Sequence, residues 1–338
     1  MRLLVAGAAC ALLLSAPLLR AEEGADAARK WLEKMSTAAR TLNYEGTFVY
    51  LHDGQMVSMR IIHGAGPRGE QERLIVLNGV GREMMRDPRV VTSIQYQHSA
   101  EVVARSRPRK PFPSGLFSNN AALGKYYIFS LDGEGRVADR LARVVRVTPR
   151  DTYRYGYRLW IDQASGLLLK YELINAQDAP LEQLMFTTLD LHPAPPAGLP
   201  DPDEGAEIHN APARADEAQG RTSVAGGGMP GATADPAPDK VWRITRMPEG
   251  FAQTEQGTRI LTTHAAPMEH IILSDGLAAV SVFIEKLNGA PGFKGPGKMG
   301  AVRAYGSVMQ DHQITVVGGV PEQTVRMIAE SVRMEQAP

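Results

Sequence analysis

The chain has 338 residues, with 37 Lys or Arg against 37 Asp or Glu, so its formal net charge is zero. Its single cysteine, Cys10, excludes an internal disulfide and a cysteine-based metal site. The zero balance hides an asymmetry: residues 60–158 carry 18 basic against 9 acidic side chains, whereas residues 201–240 carry 8 acidic against 3 basic.

Residues 1–21 have the pattern of a secretory signal peptide. Arg2 precedes an apolar run from Leu3 to Leu14, and small residues lead up to Ala21, after which cleavage is expected. No later segment reaches the roughly 18 apolar residues that a membrane helix needs. We therefore expect an exported, soluble mature protein, and export disfavours nucleic acid as a partner despite the basic region.

A first domain is predicted over residues 22–191. Trp31, Met35 and Ala38 recur at helical spacing, which predicts a helix within residues 25–42. About nine short β-type runs follow, and dipeptides typical of hairpin turns lie between several of them: Asp53-Gly54, Asn78-Gly79, Asp132-Gly133 and Ser165-Gly166. The pattern predicts a large, curved antiparallel sheet that needs an element on its concave face.

Residues 192–239 separate this domain from a second one. The segment is rich in Pro, Gly, Ala and acidic residues and holds almost no large apolar side chains, so it is predicted to be a linker. Residues 240–338 contain six β-type runs and then a helix with Pro321 in its first turn and an apolar stripe. The stripe comprises Val325, Ile328, Ala329 and Val332. This predicts a small α+β domain.

Several motifs are weak. Gly64, Gly66 and Gly69 match a dinucleotide-binding pattern, but a strand follows where that site needs a helix, so a hairpin is expected. Residues 292–299, GFKGPGKM, nearly match a phosphate-binding loop, but Met299 stands where the metal-binding hydroxyl is needed. We expect a flexible basic loop that an anionic partner could contact. The histidines show no metal-binding spacing, so neither a metal nor a cofactor is expected.

Residues 270–286, HIILSDGLAAVSVFIEK, place a histidine, a serine and an aspartate close together. If the apolar runs are paired strands, Ser274 lies in the turn and His270 lies a strand away, outside the reach of a catalytic base. We expect a hairpin turned at Asp275-Gly276 and no enzyme activity. Alternate residues such as Val280 would line the core, while Phe283 would face the other side. An outward phenylalanine is a candidate partner contact, and a second covered face is the alternative.

The most informative loop is residues 104–120, ARSRPRKPFPSGLFSNN. It combines cations with large apolar side chains on a backbone broken by Pro and Gly. That combination suits amphiphiles with anionic head groups, and an ordinary solvated basic loop is the alternative. The candidate lipid-binding residues are Arg105, Arg107, Arg109, Lys110, Phe112, Leu116 and Phe117.

Long segments of both domains resemble one family. They include NYEGTFVYLHDGQMVSMRIIH, ERLIVLNGVGREMMRD, RVADRLARVVRVTPRDTYRYGYRLWIDQASGLLLKYELI, SDGLAAVSVFIE and ITVVGGVPEQTVRMIAESV. In order and length, from about Trp31 to Val332, they resemble the RseB/MucB family of periplasmic regulators of the envelope-stress sigma factor.

The resemblance implies an α+β protein with an N-terminal half-open antiparallel β-barrel with helices, similar to the carriers LolA and LolB, and a smaller C-terminal domain. It also implies a periplasmic location. The N-terminal domain, residues 22–191, would hold acyl chains and sense lipid, and the C-terminal domain, residues 240–338, would take most of the contact with the periplasmic part of a membrane-anchored anti-sigma factor similar to RseA or MucA. Bound, such a protein shields its partner from proteolysis, and lipid or lipopolysaccharide loosens the complex.

For the partner contact, the candidates are Asp275, Gly276, Phe283, Lys294 and Lys298. A periplasmic lipid or lipoprotein carrier is the rival interpretation, and the C-terminal domain argues against it because a simple carrier has no need of one. The sequence leaves open whether the protein forms a homo-oligomer.

Overall fold

Two domains make up the described part of the chain. The structure is a computed structural model and describes residues 16–67, 69–88, 90–97, 100–106, 120–199, 240–260 and 267–336. The first domain contains helices α1 (Ala16–Thr41) and α2 (Asn120–Leu123). Its strands are β1 (Asn43–His52), β2 (Gln55–Gly66), β3 (Gly69–Val76), β4 (Arg82–Arg86), β5 (Val91–Gln97), β6 (Ala100–Ser106), β7 (Tyr127–Val137), β8 (Arg140–Pro149), β9 (Gly156–Asp162), β10 (Leu168–Ile174) and β11 (Pro180–His192).

Within the described residues these strands form one antiparallel sheet in the order β6-β5-β4-β3-β2-β1-β11-β10-β9-β8-β7. Strands β6 and β7 are its edges, so the sheet is open. Helix α1 packs on one face, where Ala28, Leu32 and Met35 are fully buried among Tyr127, Phe129 and other inward side chains. The helix covers the face that the sequence predicted to need covering, and the large antiparallel sheet is confirmed.

The turns of the first domain correct one prediction. Asp53-Gly54 joins β1 to β2 and Ser165-Gly166 lies between β9 and β10, as predicted. Asp132-Gly133, however, lies inside β7, where the register with β8 shifts between Leu131 and Glu134. It is a bulge, and the hairpin turn comes at Ala138-Asp139, where both residues have positive φ. Strands β4 and β6 were not predicted.

The glycines of residues 64–69 belong to a hairpin. Gly64 and Gly66 lie in β2, and Gly66, the last residue of β2, pairs with Gly69, the first residue of β3. A side chain at Gly64 would collide with Pro195 and Leu199, which pack against β2. The hairpin interpretation is therefore confirmed, and Gly64 makes room for the segment that follows the last strand of the domain.

The second domain contains strands β12 (Lys240–Ile244), β13 (Ala252–Ile260), β14 (Pro267–Ser274), β15 (Ala279–Lys286), β16 (Gly295–Met299), β17 (Val302–Met309), β18 (His312–Gly318) and β19 (Val332–Gln336), with helix α3 (Glu322–Ser331) before β19. In the described part, six strands pair in the order β13-β14-β15-β18-β17-β16, and β12 pairs with β19. Val280, Val282 and Ile284 are buried and share one core with Val325 and Ile328 of α3, as predicted.

Two details of this domain differ from the sequence prediction. Residues 295–299, predicted to be part of a flexible loop, form the edge strand β16, which pairs with β17. Their own composition is rich in Gly and Pro, so the pairing comes from the neighbouring strand. Val332, predicted in the helical stripe, begins β19 but is buried in the same core.

Candidate functional site at the interdomain contact

The two domains meet around Arg154, which lies in the loop between β8 and β9. Its Nε donates a hydrogen bond to Asp275 Oδ2 of the second domain at 2.5 Å, and neither side chain is exposed. The other two guanidinium nitrogens donate to Asp151 and to the backbone carbonyl of Glu249. A buried guanidinium in contact with two carboxylates has its charge compensated, which is the condition under which such burial is tolerated.

Asp275 is held by the turn that the sequence predicted. Its Oδ1 accepts hydrogen bonds from the backbone N–H groups of Leu277 and Ala278 at 2.9 and 2.7 Å. Gly276 has a φ of 96°, which favours glycine, and its N–H donates to Ser274 Oγ. The Ser274 hydroxyl donates in turn to the Ala278 carbonyl at 2.8 Å. Serine and aspartate therefore shape the loop and aim the second carboxylate oxygen at the other domain.

Aromatic rings surround the Arg154 guanidinium. Its central carbon lies 5.0 Å from the ring centres of Tyr126 and Phe251 and 5.8 Å from that of Tyr127. The Tyr127 hydroxyl donates to Asp275 Oδ2 at 3.0 Å. Burial, and then the charge of Asp275, raise the pKa of Tyr127 above its ordinary value, so this phenol keeps its proton and remains a donor.

Further contacts extend this interface. Thr324 at the start of α3 donates from Oγ1 to the Tyr153 carbonyl at 2.7 Å, and Gln323 donates to the Thr152 carbonyl. Leu277 and Ala301 of the second domain are buried in the core of the first domain. The interface therefore combines a buried ion pair, backbone-directed hydrogen bonds and apolar packing.

A second contact lies at the tip of the β1–β2 hairpin. A Cβ placed on Gly300 would lie 3.3 Å from the Cβ of Asp53, so the β16–β17 turn touches this tip. Next to the contact is a cavity of about 280 Å³ between the domains. Its lining comprises residues 51–54 and 180–183 of the first domain with Lys298 and Gly300 of the second.

Glu182 is a half-buried acid in the lining of this cavity. Burial raises the pKa of its carboxyl above the ordinary value, against hydrogen bonds with Tyr50 and Tyr171 and the nearby His52, which lower it. The carboxyl is therefore easier to protonate than an exposed glutamate. It ties β11 to the neighbouring strands β1 and β10 at the end of the sheet that faces the second domain.

The face of the large sheet that carries the core of the first domain is also apolar away from the interdomain contact. Phe48, Met59 and Leu74 are buried on β1 to β3, and Val57, Ile61, Val76 and Met84 continue this face as partly buried side chains. Helix α1 contacts β7, β8 and β2. Apolar side chains thus line one face of the sheet on its β2–β4 side, and side chains of this kind are chemically suited to packing against acyl chains.

Comparison with known proteins identifies the family. The model of the MucB/RseB N-terminal domain matches residues 27–211, and that of the MucB/RseB C-terminal domain matches residues 236–333. The chain belongs to the MucB/RseB family. Among curated relatives, Sigma factor AlgU regulatory protein MucB of Pseudomonas aeruginosa is 32% identical over 331 residues, covering 96% of this chain and 95% of that protein. Sigma-E factor regulatory protein RseB of Escherichia coli K12 is 25% identical over 310 residues, covering 90% of each.

A solved structure of a MucB/RseB family member agrees with the fold. The structure of the Pseudomonas aeruginosa MucA/MucB complex matches with a TM-score of 0.68 and 31% identity, covering 92% of this chain and 99% of that chain. The likeness spans both domains. The relatives are named as regulatory proteins.

In this MucB/RseB family member, most of the predicted lipid-binding residues lie outside the described part of the chain. These are Arg107, Arg109, Lys110, Phe112, Leu116 and Phe117. Arg105 is in β6, where its backbone position pairs with Thr92 of β5. The lipid-binding assignment therefore stays a prediction.

The predicted partner-binding residues fall in different places. Asp275 is buried in the interdomain contact, so in this arrangement its carboxylate faces the first domain. Phe283 is half-buried, and its ring stacks on the buried His270 with centres 4.5 Å apart. Lys294 is exposed just before β16, whereas Lys298 lines the interdomain cavity. Phe283, Lys294 and Lys298 are thus three separate positions on the second domain.

Sequence reasoning missed Arg154 and Tyr127. Both lie at ends of predicted strands, and Arg154 stands in the tyrosine-rich run DTYRYGYR. An arginine among aromatic residues at the end of a strand is a signal for a buried cation, but its partner lies 121 residues away. In the described residues, no group of metal-binding side chains is found and no helix has the length and apolarity of a membrane span.

Proposed function

We propose that this protein is a periplasmic negative regulator of an envelope-stress sigma factor. It binds the periplasmic part of a membrane-anchored anti-sigma factor and shields that segment from regulated proteolysis. The observation that supports this most directly is the match of both domains, in order, to the MucB/RseB family, in which a relative of similar length is named a sigma factor regulatory protein and is solved with MucA.

The interdomain contact gives this function a physical basis. A ligand on one domain changes the affinity of a partner on the other only if the two prefer different domain arrangements. The Arg154–Asp275 pair is buried and can form only when the domains are in contact, so loss of either partner would disfavour that arrangement. We propose that Phe283, Lys294 and Lys298 contact the anti-sigma factor, while Asp275 and Gly276 act through the domain arrangement.

For the signal, we propose lipid or lipopolysaccharide binding by the first domain. The apolar inner face on β2 to β4 supplies surface for acyl chains. The basic and apolar residues 105–117 would add cations for the anionic head groups. Binding there would favour a domain arrangement with lower affinity for the anti-sigma factor.

The test uses the mature chain and the periplasmic segment of the anti-sigma factor from the same organism. We expect binding in calorimetry, protection of the segment from its protease, and loss of both as lipopolysaccharide is added. A variant with Arg105, Arg107, Arg109 and Lys110 changed to glutamate should bind the segment normally but require more lipopolysaccharide for release. Release at the parent concentration would refute the loop assignment.

A pull-down of the mature chain from its own envelope separates this function from that of a carrier. Recovery of an anti-sigma factor supports the regulator. Recovery of outer-membrane lipoproteins without an anti-sigma factor would refute it and support a lipoprotein carrier.

A further inference from the structure

An exposed apolar patch lies at the end of the large sheet that faces the second domain. It comprises Met56, Leu77, Val80 and Tyr96, which are 63, 52, 60 and 47% exposed. Together these residues expose on the order of 400 Å² of surface, which is the size of the largest apolar patch on a typical soluble monomer, and such a patch is often functional. No residue of this apolar patch belongs to the candidate sites described above.

Hydrogen bonds bring the four residues together at one end of the sheet. Met56 lies at the start of β2, and Leu77 follows β3, with its N–H donating to the Ser58 carbonyl at 2.8 Å. The Asn78 side chain accepts from the Ser58 N–H at 2.7 Å and donates to the Met56 carbonyl at 3.1 Å. These bonds fix the β3–β4 loop against β2, so the patch is preformed and a partner pays little ordering entropy to bind it.

The far end of the patch is fixed in the same way. The Tyr96 N–H donates to the Gly81 carbonyl at 2.9 Å, and a Cβ on Gly81 would lie 3.3 Å from the Tyr96 ring. Val80 precedes this glycine in the same loop. The apolar patch therefore runs along the ends of β2, β3, β4 and β5 as one surface.

The patch is continuous with the contact between the domains. Met56 pairs directly with Leu51 across the β1–β2 hairpin. Leu51 lines the interdomain cavity together with Lys298 and Gly300 of the second domain. A partner seated on the apolar patch would therefore lie next to the second domain, and its affinity would depend on how the two domains are arranged if it contacted both.

The charge around the patch favours a protein over an anionic membrane. Residues 51–60, 77–83 and 94–97 contain two arginines and two acids, Arg60 and Arg82 against Asp53 and Glu83, and no lysine. The formal sum is zero. Docking to an anionic lipid surface uses an excess of Lys or Arg beside the apolar side chains. That excess is missing from these segments, although the domain as a whole is basic.

The size of the patch argues against a second copy as occupant. A stable interface buries about 800 Å² on each partner, roughly twice what the patch offers. A symmetric dimer through the patch alone would be too small. A partner that also covers the adjoining cavity and the second domain would reach the required area.

We propose that the apolar patch is a docking surface for an apolar face of the anti-sigma factor's periplasmic segment, which bridges from the patch onto the second domain. The proposal rests on the proposed function and adds a first-domain contact to the second-domain residues named above. It makes the partner span both domains, so that separation of the domains weakens its hold.

The test measures the affinity of the full mature chain for the periplasmic segment. Changing both Met56 and Val80 to serine is expected to weaken binding by about tenfold to a hundredfold, since two apolar anchors are truncated. The matched control is Leu141→Ser, since Leu141 is 64% exposed at the start of β8, at the opposite end of the sheet. The control is expected to bind within twofold of the parent. Val80→Asp provides a second variant should the double variant fold poorly.

The other outcomes separate the alternatives. Unchanged affinity in a folded double variant overturns the proposal while leaving the proposed function intact; absence of binding by the parent overturns both. Vesicles of phosphatidylethanolamine and phosphatidylglycerol test whether the patch binds a membrane. If the double variant loses vesicle binding but keeps its affinity for the segment, the proposal is overturned. Sedimentation tests whether a second copy of the chain occupies the patch. If the parent is a dimer, the double variant is a monomer and the affinity for the segment is unchanged, the proposal is likewise overturned.

Discussion

Replacing Arg154 with methionine is expected to loosen the contact between the two domains. The substitution keeps much of the apolar stem but removes the cation, so the Asp275 carboxylate stays buried with hydrogen bonds from Tyr127 and its own loop but without a cation. Removing one partner of a buried ion pair typically costs about 3–5 kcal/mol. The equilibrium constant for domain contact should therefore fall by about a hundredfold to several thousandfold.

Substitution of the other partner, Asp275, should destabilise the domain contact less than substitution of Arg154, and this difference tests the explanation. In Asp275→Asn the Arg154 guanidinium keeps Asp151 as a compensating charge, so the cost should be that of hydrogen bonds to a charged group, about 1.5–3 kcal/mol. A double variant, Arg154→Met with Asp275→Asn, leaves no uncompensated carboxylate at position 275, and the Asp151 carboxylate that also loses its cation is 30% exposed. It should be more stable than Arg154→Met alone.

Small-angle X-ray scattering and calorimetry measure the two consequences. We expect a larger radius of gyration for Arg154→Met and separate unfolding transitions for the two domains, while the parent scatters as one compact particle. The buried ion pair would be refuted as the main electrostatic contribution to the contact by either of two results. The two single variants could lose equal stability, or the double variant could lose the sum of the two single losses.

Two further predictions concern stability. Glu182→Gln is expected to stabilise the protein at pH 7 but not at pH 4. Burial raises the pKa of Glu182 in the folded state, so its contribution to stability is complete below the ordinary pKa of about 4.3 and is lost as the pH rises through the raised pKa. Glutamine is neutral at both pH values and therefore avoids that loss. Urea unfolding at both pH values measures this, and equal effects at both would contradict it. Gly46→Ala is expected to cost about 1–3 kcal/mol, because its Cβ would lie 2.5 Å from the Thr188 carbonyl oxygen. Gly257→Ala, which meets no atom within 4 Å, is the control and should change stability by less than about 0.5 kcal/mol; similar losses in both variants would show that packing at Gly46 is not the cause.

The sequence was sufficient for elements that carry their own pattern. Helix α1 and the nine predicted strands of the first domain, all but β4 and β6, have apolar periodicity and turn residues that do not depend on distant partners. Strand β16, with the sequence GPGKM, has no such pattern and is a strand because β17 supplies its hydrogen bonds. Asp132-Gly133 has turn chemistry, but the pairing of β7 with β8 continues past it, so the dipeptide forms a bulge.

The interdomain site could not be predicted because it depends on residues that are distant in sequence. Asp275 looked like one half of an ordinary turn, and only one of its carboxylate oxygens is needed for that turn. The other oxygen faces Arg154, from a loop of the other domain. A local pattern can specify the first role, whereas the second requires the docked arrangement of two folded domains.

This double role gives the second domain a direct way to respond to the first. The β14–β15 loop that carries Asp275 continues into β15, the strand that carries Phe283. If the domains separate, Asp275 loses its cation while its loop hydrogen bonds remain, so the loop need not unfold. What changes is the placement of the second domain relative to the apolar patch beside the β1–β2 hairpin. A partner that spans both surfaces then loses one of them, and a ligand on the first domain can release it without contacting it.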